Sequence, residues 1–241
     1  MALFQALIEL ADDHLVLGHR LSEWCGHAPM LEEDLALSNF ALDVIGTARS
    51  LYAHAAEVEG KGRSEDDLAY LRSEREYLNC LLVERPNGDF AHTMLRQFYF
   101  AGFMEPFWQA VLSSNDKVIA GIAGKAVKEM GYHIRHAAEW IVRLGGGTEE
   151  SGTRMRAAVY DLHPYWEEMF APSECDVLPD RAALRPAWDV SVKAVFEVAG
   201  LDWPEPVYGQ VGGRVGEHSE VLGRMLSDMQ YLQRVHPGAT W

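Results

Sequence analysis

Apolar residues recur along this chain at intervals of three, four and seven, the spacing that gathers them on one side of an α-helix. Leu7, Leu10, His14, Leu17 and Leu21 share one stripe of a first helix, which ends near Gly26. A second helix runs from about 31 to 58, with Leu31, Leu35, Leu42, Ile45 and Tyr52 as its apolar stripe. GKGRSEDD and ERPNGD carry turn and capping residues. Between them, LAYLRSEREYLNCLLVE reads as one bent helix or two short ones. A third long helix spans about 90–112 and is crossed by Pro106, which should kink or re-phase it. A fourth covers about 116–144 and stops at Gly145, Gly146 and Gly147. A fifth covers about 149–170, bent or divided at Pro164. Residues 171–216 carry Pro172, Pro179, Pro186, Pro204 and Pro206 among short helical pieces, and a last helix covers about 217–235. The two-residue alternation of a half-buried strand is nearly absent. The pattern predicts an all-α bundle of long helices in a single domain, 1–241, with extra C-terminal helices.

Composition narrows the function classes. A chain of 241 residues, 48% of them hydrophobic, can bury a sizeable core. Its formal net charge is −15, from 36 acidic against 21 basic residues. Nucleic acid and anionic membrane are therefore poor partners, whereas a basic protein or plain solubility accounts for the charge. Cys25, Cys80 and Cys175 lie far apart without a CxxC pair and read as reduced thiols of a cytoplasmic protein. The opening MALFQALIELADDH has no basic region and is interrupted by Glu9, Asp12 and Asp13, so a signal peptide is not expected. No apolar run approaches the ~20 residues of a membrane span.

One stretch suggests chemistry. In KEMGYHIRH, Glu129, His133 and His136 stand at i, i+4 and i+7 and can share a helix face. A di-iron bundle uses Glu-x-x-His on each of two helices, and this chain has no such pair. Met130 stands three before His133, where the acidic ligand belongs, and a thioether brings no negative charge to hard iron. On the second helix, Asp43 is followed three later by Gly46, which has no side chain to bind anything. We expect Asp43 to be buried and to pair with His133 or a nearby Arg where metals would otherwise lie. The bland reading of His133 is a buried, hydrogen-bonded histidine with Lys128 and Glu129 outside. Asp89-x-x-His92 follows Asn87-Gly88 and reads as a helix cap. GQVGGRVGEH, at 209–218, reads as a loop into the last helix, with a phosphate cradle around Arg214 as the lesser option. Phe98, Tyr99, Phe100, Phe103, Phe107 and Trp108 point in too many directions for one pocket and read as core with some partner surface. No nucleophile elbow, Walker loop or Rossmann glycine pattern is present.

Longer stretches carry a resemblance. RLSEWCGHAP (20–29), EREYLNCLLVERPNGDFAHTMLRQF (74–98), KEMGYHIRHAAEWIVRLGGGTEES (128–151) and MQYLQRVHPGATW (229–241) resemble the C-subunit family of the phenylacetyl-CoA epoxidase complex. The likeness runs from near the N-terminus to the last residue. It implies a ferritin-like fold and a place in a multicomponent oxygenase of aerobic phenylacetate catabolism. It also implies an A subunit that holds the di-iron centre and epoxidises the ring, and a reductase subunit with flavin and an iron–sulfur cluster fed by NADPH. The C subunit would pair with A as a structural relative that has lost its ligands, with Asp43, Gly46, Met130 and His133 at the vestigial positions. The resemblance further implies that Glu76, Tyr77, Leu78 and Asn79, with Val177, Leu178 and Pro179, help to hold the acyl-CoA, Tyr77 and Asn79 foremost.

The expected chain is thus a non-catalytic subunit of a homo- or hetero-oligomer, holding no cofactor itself. Two other classes remain: a stand-alone degenerate oxidase using Glu129, His133 and His136, and a ferritin-like acyl-CoA-binding protein.

Overall fold

The computed structural model describes residues 1–205 and 208–239, so Pro206 and the last two residues of the 229–241 stretch lie outside it. Four long helices dominate: α1 (Ala2–Ser22), α2 (Leu31–Glu59), α5 (Phe90–Val111) and α6 (Lys117–Gly145). Short loops join α1 to α2 and α5 to α6, which leaves each pair only the antiparallel arrangement. The two hairpins pack as a ferritin-like bundle. The crossover between them holds α3 (Glu65–Tyr70) and α4 (Leu81–Glu84). After the bundle come α7 (Glu149–Leu162), α8 (Arg185–Ala199), α9 (Glu220–Met229) and α10 (Tyr231–Val235). No strand occurs among the described residues, and none of their helices is long and apolar enough to cross a membrane.

Local chemistry explains the helix starts. Asp89 accepts the His92 N–H at 3.1 Å, as its capping position requires. Asp116 accepts from Val118 and Ile119, and Thr148 from Ser151. Gly18 lets α1 lie close on α2, because a Cβ there would strike Ile45 Cγ1. The aromatic run of α5 is entirely core: Phe98, Tyr99, Phe100, Phe103, Phe107 and Trp108 are at most 1% exposed, so none serves as partner surface. The helix continues through Pro106.

α1 is the most enclosed element, with every residue from Ala6 to Gly18 buried. Its acids are therefore inside, and each is met by a partner from a distant segment. Asp12 accepts from Arg72, the Tyr52 hydroxyl and the Leu78 N–H, the last at 2.7 Å. Asp13 takes two bonds from Arg214, at 2.7 and 3.0 Å, and one from the Cys80 N–H at 2.7 Å. Glu9 lies 2.7 Å from Arg181. Burial alone would discharge Arg72 and Arg214, but Asp12 and Asp13 reverse that and push both guanidinium pKa values up. A second layer surrounds Glu84, which accepts from His218 Nδ1 and the Ser219 N–H at 2.8 Å each and from Asn79 Nδ2 at 3.1 Å. These bonds hold the extended strip 77–80 between α1 and the loop 212–219.

Several expectations from the sequence need correction. Leu31, Leu35 and Leu42 are not core: they are 71%, 57% and 68% exposed. The buried face of α2 is instead Leu37, Phe40, Val44, Ala48, Leu51, Tyr52 and Ala55. The fifth helix ends at Leu162 and gives way to 3₁₀ turns, because Pro164 cannot extend the ladder. Among the described residues of 171–216 there is one full helix, α8, with Pro186 in its first turn, where a proline is tolerated. The last helix starts at Glu220 and breaks at Gln230 into α9 and α10. Arg214 is no free cation for a phosphate, since Asp13 and the Leu78 carbonyl (2.8 Å) occupy it.

The buried charges generate two predictions. Asp12→Ala leaves Arg72 buried without its anion, and should lower unfolding free energy in urea by about 3–5 kcal/mol. The second concerns His218, whose ring nitrogens face Glu84 and, at 2.9 Å, the Tyr77 carbonyl. Both partners accept, so the ring must donate twice, as the cation. Burial opposes that charge, but Glu84 and the Tyr77 carbonyl together hold its pKa above the ordinary value. A raised folded pKa contributes stability that is complete below the unfolded value of about 6.5 and is lost as pH rises through the folded value. Urea midpoints should therefore fall as pH climbs above about 6.5, and His218→Gln should flatten that slope.

Candidate functional site

The centre of the bundle is where a di-iron protein would place its metals, and here a chain of side chains fills it. His133 is fully buried on α6 and receives a hydrogen bond at Nδ1 from Gln97 Nε2 of α5, at 2.9 Å. Its Nε2–H donates to Asp43 Oδ2 of α2 at 3.2 Å. The Phe40 ring lies over it at 3.9 Å between centroids. Burial lowers the His133 pKa against the pull of Asp43, so the ring is neutral and its tautomer is set by these two partners. Burial would raise Asp43, yet the hydrogen bond from His133, with that from Glu129 and the charge of Lys125, brings it below its usual value. Glu129 lies against Asp43 and is pushed up by burial and by that neighbouring charge, with Lys125 Nζ 2.9 Å away in opposition.

Asp43 departs from expectation in one respect. Its side chain is 32% exposed, so it sits at the rim between α2 and α6 and not inside the bundle. Glu129 is likewise half-buried and engaged, not outside. Glu129, His133 and His136 share a helix face but not a site, because His136 Nε2 is taken by Glu33 at 2.8 Å. Further along, His54 Nε2 meets Asp116 at 2.9 Å. Three histidine–carboxylate pairs thus cross the seam between α2 and α6.

Sequence reasoning missed two members of the centre. His14 stood out only as a member of an apolar stripe. It is fully buried, donates Nδ1–H to the Leu10 carbonyl at 2.7 Å, and burial lowers its pKa to about 4. Gln97 lies among the aromatic residues of α5 and is the buried one of that helix's two glutamines, Gln109 being exposed. The donor set is unsuited to a pair of hard cations: Gln97 is neutral, Met130 offers sulfur, Gly46 offers nothing and both nitrogens of His133 are engaged. Among the described residues no group of three or more His, Cys, Asp or Glu is arranged to hold a metal ion.

The segment 76–79 divides by exposure. Tyr77 and Asn79 are buried, with the Tyr77 hydroxyl bonded to the Ala69 carbonyl and Asn79 Nδ2 to Glu84 and the Cys80 carbonyl. Glu76 and Leu78 instead line a cleft of about 510 Å³ at the N-terminal end of α1, with Phe4, Ile8, Arg63, Arg72 and Arg214. The groups of 76–79 that can reach a ligand are therefore Glu76 and Leu78. Val177 is exposed, Leu178 buried and Pro179 half-buried on the connection before α8, and none of the three lines this cleft. Gly213 and Gly216 let the loop before α9 lie against this segment, since a Cβ on Gly213 would strike the Asn79 carbonyl and one on Gly216 the Arg75 carbonyl.

Comparison with known proteins agrees with the resemblance. The family described as "Phenylacetic acid catabolic protein" matches residues 1–241. The chain is 44% identical over 241 residues to the C subunit of 1,2-phenylacetyl-CoA epoxidase from Escherichia coli (strain K12), with 97% of each chain covered. A match over the full length, on a bundle of the expected kind, leads to one conclusion: this chain belongs to the phenylacetic acid catabolic protein family.

Proposed function

We propose that this chain is the non-catalytic subunit of a phenylacetyl-CoA epoxidase complex, pairing with and stabilising a di-iron catalytic subunit of the same fold in the cytoplasm. The observation that carries this reading is the Gln97–His133–Asp43 chain at the bundle centre, which uses the two remaining ligand-type residues, His133 and Asp43, as structural hydrogen-bonding groups. The fold of an oxygenase is retained while the donors that would neutralise two cations are missing. In the complex, iron would reside in the partner, and flavin and an iron–sulfur cluster in a reductase subunit. The stand-alone oxidase is less well supported, because Glu129, His133 and His136 are drawn to three different partners.

A secondary role in holding the CoA ester is favoured by the cleft beside 76–79. It combines apolar walls from Phe4 and Ile8 with the guanidinium groups of Arg63, Arg72 and Arg214. Arg72 and Arg214 are committed to Asp12 and Asp13, and Arg63 is paired with Glu59 at 2.6 and 2.7 Å; Arg63 is the most exposed of the three, at 35%, and it and the edges of Glu76 and Leu78 would make the contact.

Two measurements test these readings. The chain expressed alone in iron-replete medium should carry far less than one iron per chain by elemental analysis. It should show no oxygen- and reductant-dependent turnover, and should co-purify with the di-iron subunit; stoichiometric iron with turnover would defeat the proposal. For the cleft, Leu78→Ala and Arg63→Ala should raise the KM for the CoA ester in the assembled complex by several-fold, with kcat little changed, as loss of uniform binding predicts. An unchanged KM would remove the ligand role and leave the pairing role intact.

A further inference from the structure

The cleft beside Glu76 and Leu78 draws its lining from three segments. Phe4, Gln5 and Ile8 come from α1, Arg72, Glu76 and Leu78 from the crossover, and Arg214 and Val215 from the loop before α9. These segments are far apart in the chain, so the shape of the cleft depends on what fastens one to another.

Leu78 is fixed through its backbone by three charged side chains. Asp12 Oδ2 accepts its N–H at 2.7 Å, and Arg214 donates to its carbonyl at 2.8 Å. The third is His218, whose Nε2–H donates at 2.9 Å to the Tyr77 carbonyl, the other end of the same peptide group. No other donor to that carbonyl is found among the described residues. Arg214 and His218 belong to one loop, so their two contacts also fasten that loop to the strip, with Val215 between them on the cleft. The front of the loop has a second anchor in Glu168, which accepts the Gly212 and Arg214 N–H groups at 2.8 and 3.1 Å. Its rear has His218 and the Ser219 N–H, both on Glu84.

Of these residue types, histidine is the one that changes charge between about pH 5 and 8. The charged groups around the ring are Glu84 of α4, Asp12 of α1 with its Arg72, and Arg20 of α1, which donates to the Glu84 carbonyl. The neighbouring Glu217 on its own loop is exposed. Both ring nitrogens face acceptors, and the side chain has no exposure, so water does not share the work. When the ring loses a proton, one nitrogen turns a lone pair toward an acceptor. Glu84 carries charge and is the stronger acceptor, so the remaining proton stays on Nδ1, 2.8 Å from it. The buried Tyr77 carbonyl then loses its donor, which costs more than the bond was worth. The peptide released is the one that carries Leu78 into the cleft.

We propose that His218 is a positioning residue for this cleft: as a cation it pins the Tyr77–Leu78 peptide and its own loop in the arrangement that receives the CoA ester, and affinity for the ester falls when the ring discharges. The inference rests on the ligand role proposed above for the cleft. His218 touches no ligand and acts through Leu78, Arg214 and Val215.

The test is the Kd of the assembled complex for phenylacetyl-CoA, measured without reductant so that no turnover occurs, across the histidine range from about pH 6 to about pH 8.5. The parent complex should bind several-fold more weakly at the upper end. His218→Gln carries no titrating charge and should lose most of that difference; what remains in it belongs to the ligand's phosphates and to the partner subunit. Glu84→Gln removes the anion that holds the proton, and should move the weakening to lower pH without abolishing it, which a loss of packing alone would not do. It also carries the test if His218→Gln fails to assemble. Equal pH dependence in the parent and His218→Gln, or an unmoved transition in Glu84→Gln, overturns the role of His218. Leu78→Ala separates the two readings. If it weakens Kd while the His218 variants follow the parent, the ligand role of the cleft stands and this inference alone fails. If Leu78→Ala binds as the parent does, both fall.

Discussion

Two adjacent carboxylates inside α1 constrain much of the molecule. Asp12 and Asp13 have no route to solvent, and an unpaired charge there would cost several kcal/mol. Each is met by an arginine from far along the chain, Arg72 from the crossover and Arg214 from the loop before α9. The same carboxylates accept the backbone N–H groups of Leu78 and Cys80, so they also position the extended strip between those arginines. This strip has no ladder of its own. Its polar groups are satisfied by acids presented from α1, Glu84 and Glu168 instead of by a neighbouring strand.

That arrangement separates two regions with different needs. At the N-terminal end of α1, charges are strong, paired and buried, and they build the walls of the cleft beside Glu76 and Leu78. At mid-bundle, where a related enzyme needs four or more anionic oxygens, the polar groups are neutral or shared: an amide, two neutral imidazoles and a carboxylate at the rim. A neutral centre packs with aromatic rings, and Phe40 over His133 does so. A bundle without these donors therefore remains filled and hydrogen-bonded without ions, as the proposed structural role requires.

The seam between α2 and α6 shows how the bundle stays closed where apolar contact is sparse. Glu33–His136, Asp43–His133 and His54–Asp116 bridge it at three levels, and between the last two the helices part around glycine and alanine. The outside of this seam carries exposed leucines, and sets the basic residues of α6 beside the more numerous acids of α2.

Helical class, the four long helices of the bundle and most of their ends were determined by the sequence alone, because periodicity, caps at Asp89, Asp116 and Thr148, and glycine stops act within a few residues. The lack of any Glu-x-x-His was equally legible, since Met130 and Gly46 are what they are in any fold. Which apolar face turns inward was not. Leu31, Leu35 and Leu42 and the true core residues Leu37, Phe40 and Val44 both repeat at helical spacing, and only the position of α1 against α2 chooses between them. Nor could the sequence reveal that Gln97 and His14 converge near His133, that Asp43 stops at the rim, or that Arg214 is spent on Asp13. Those are pairings between residues tens to hundreds of positions apart. Periodicity carries no information about them, and they arise only when the helices are packed and each buried charge must find its partner.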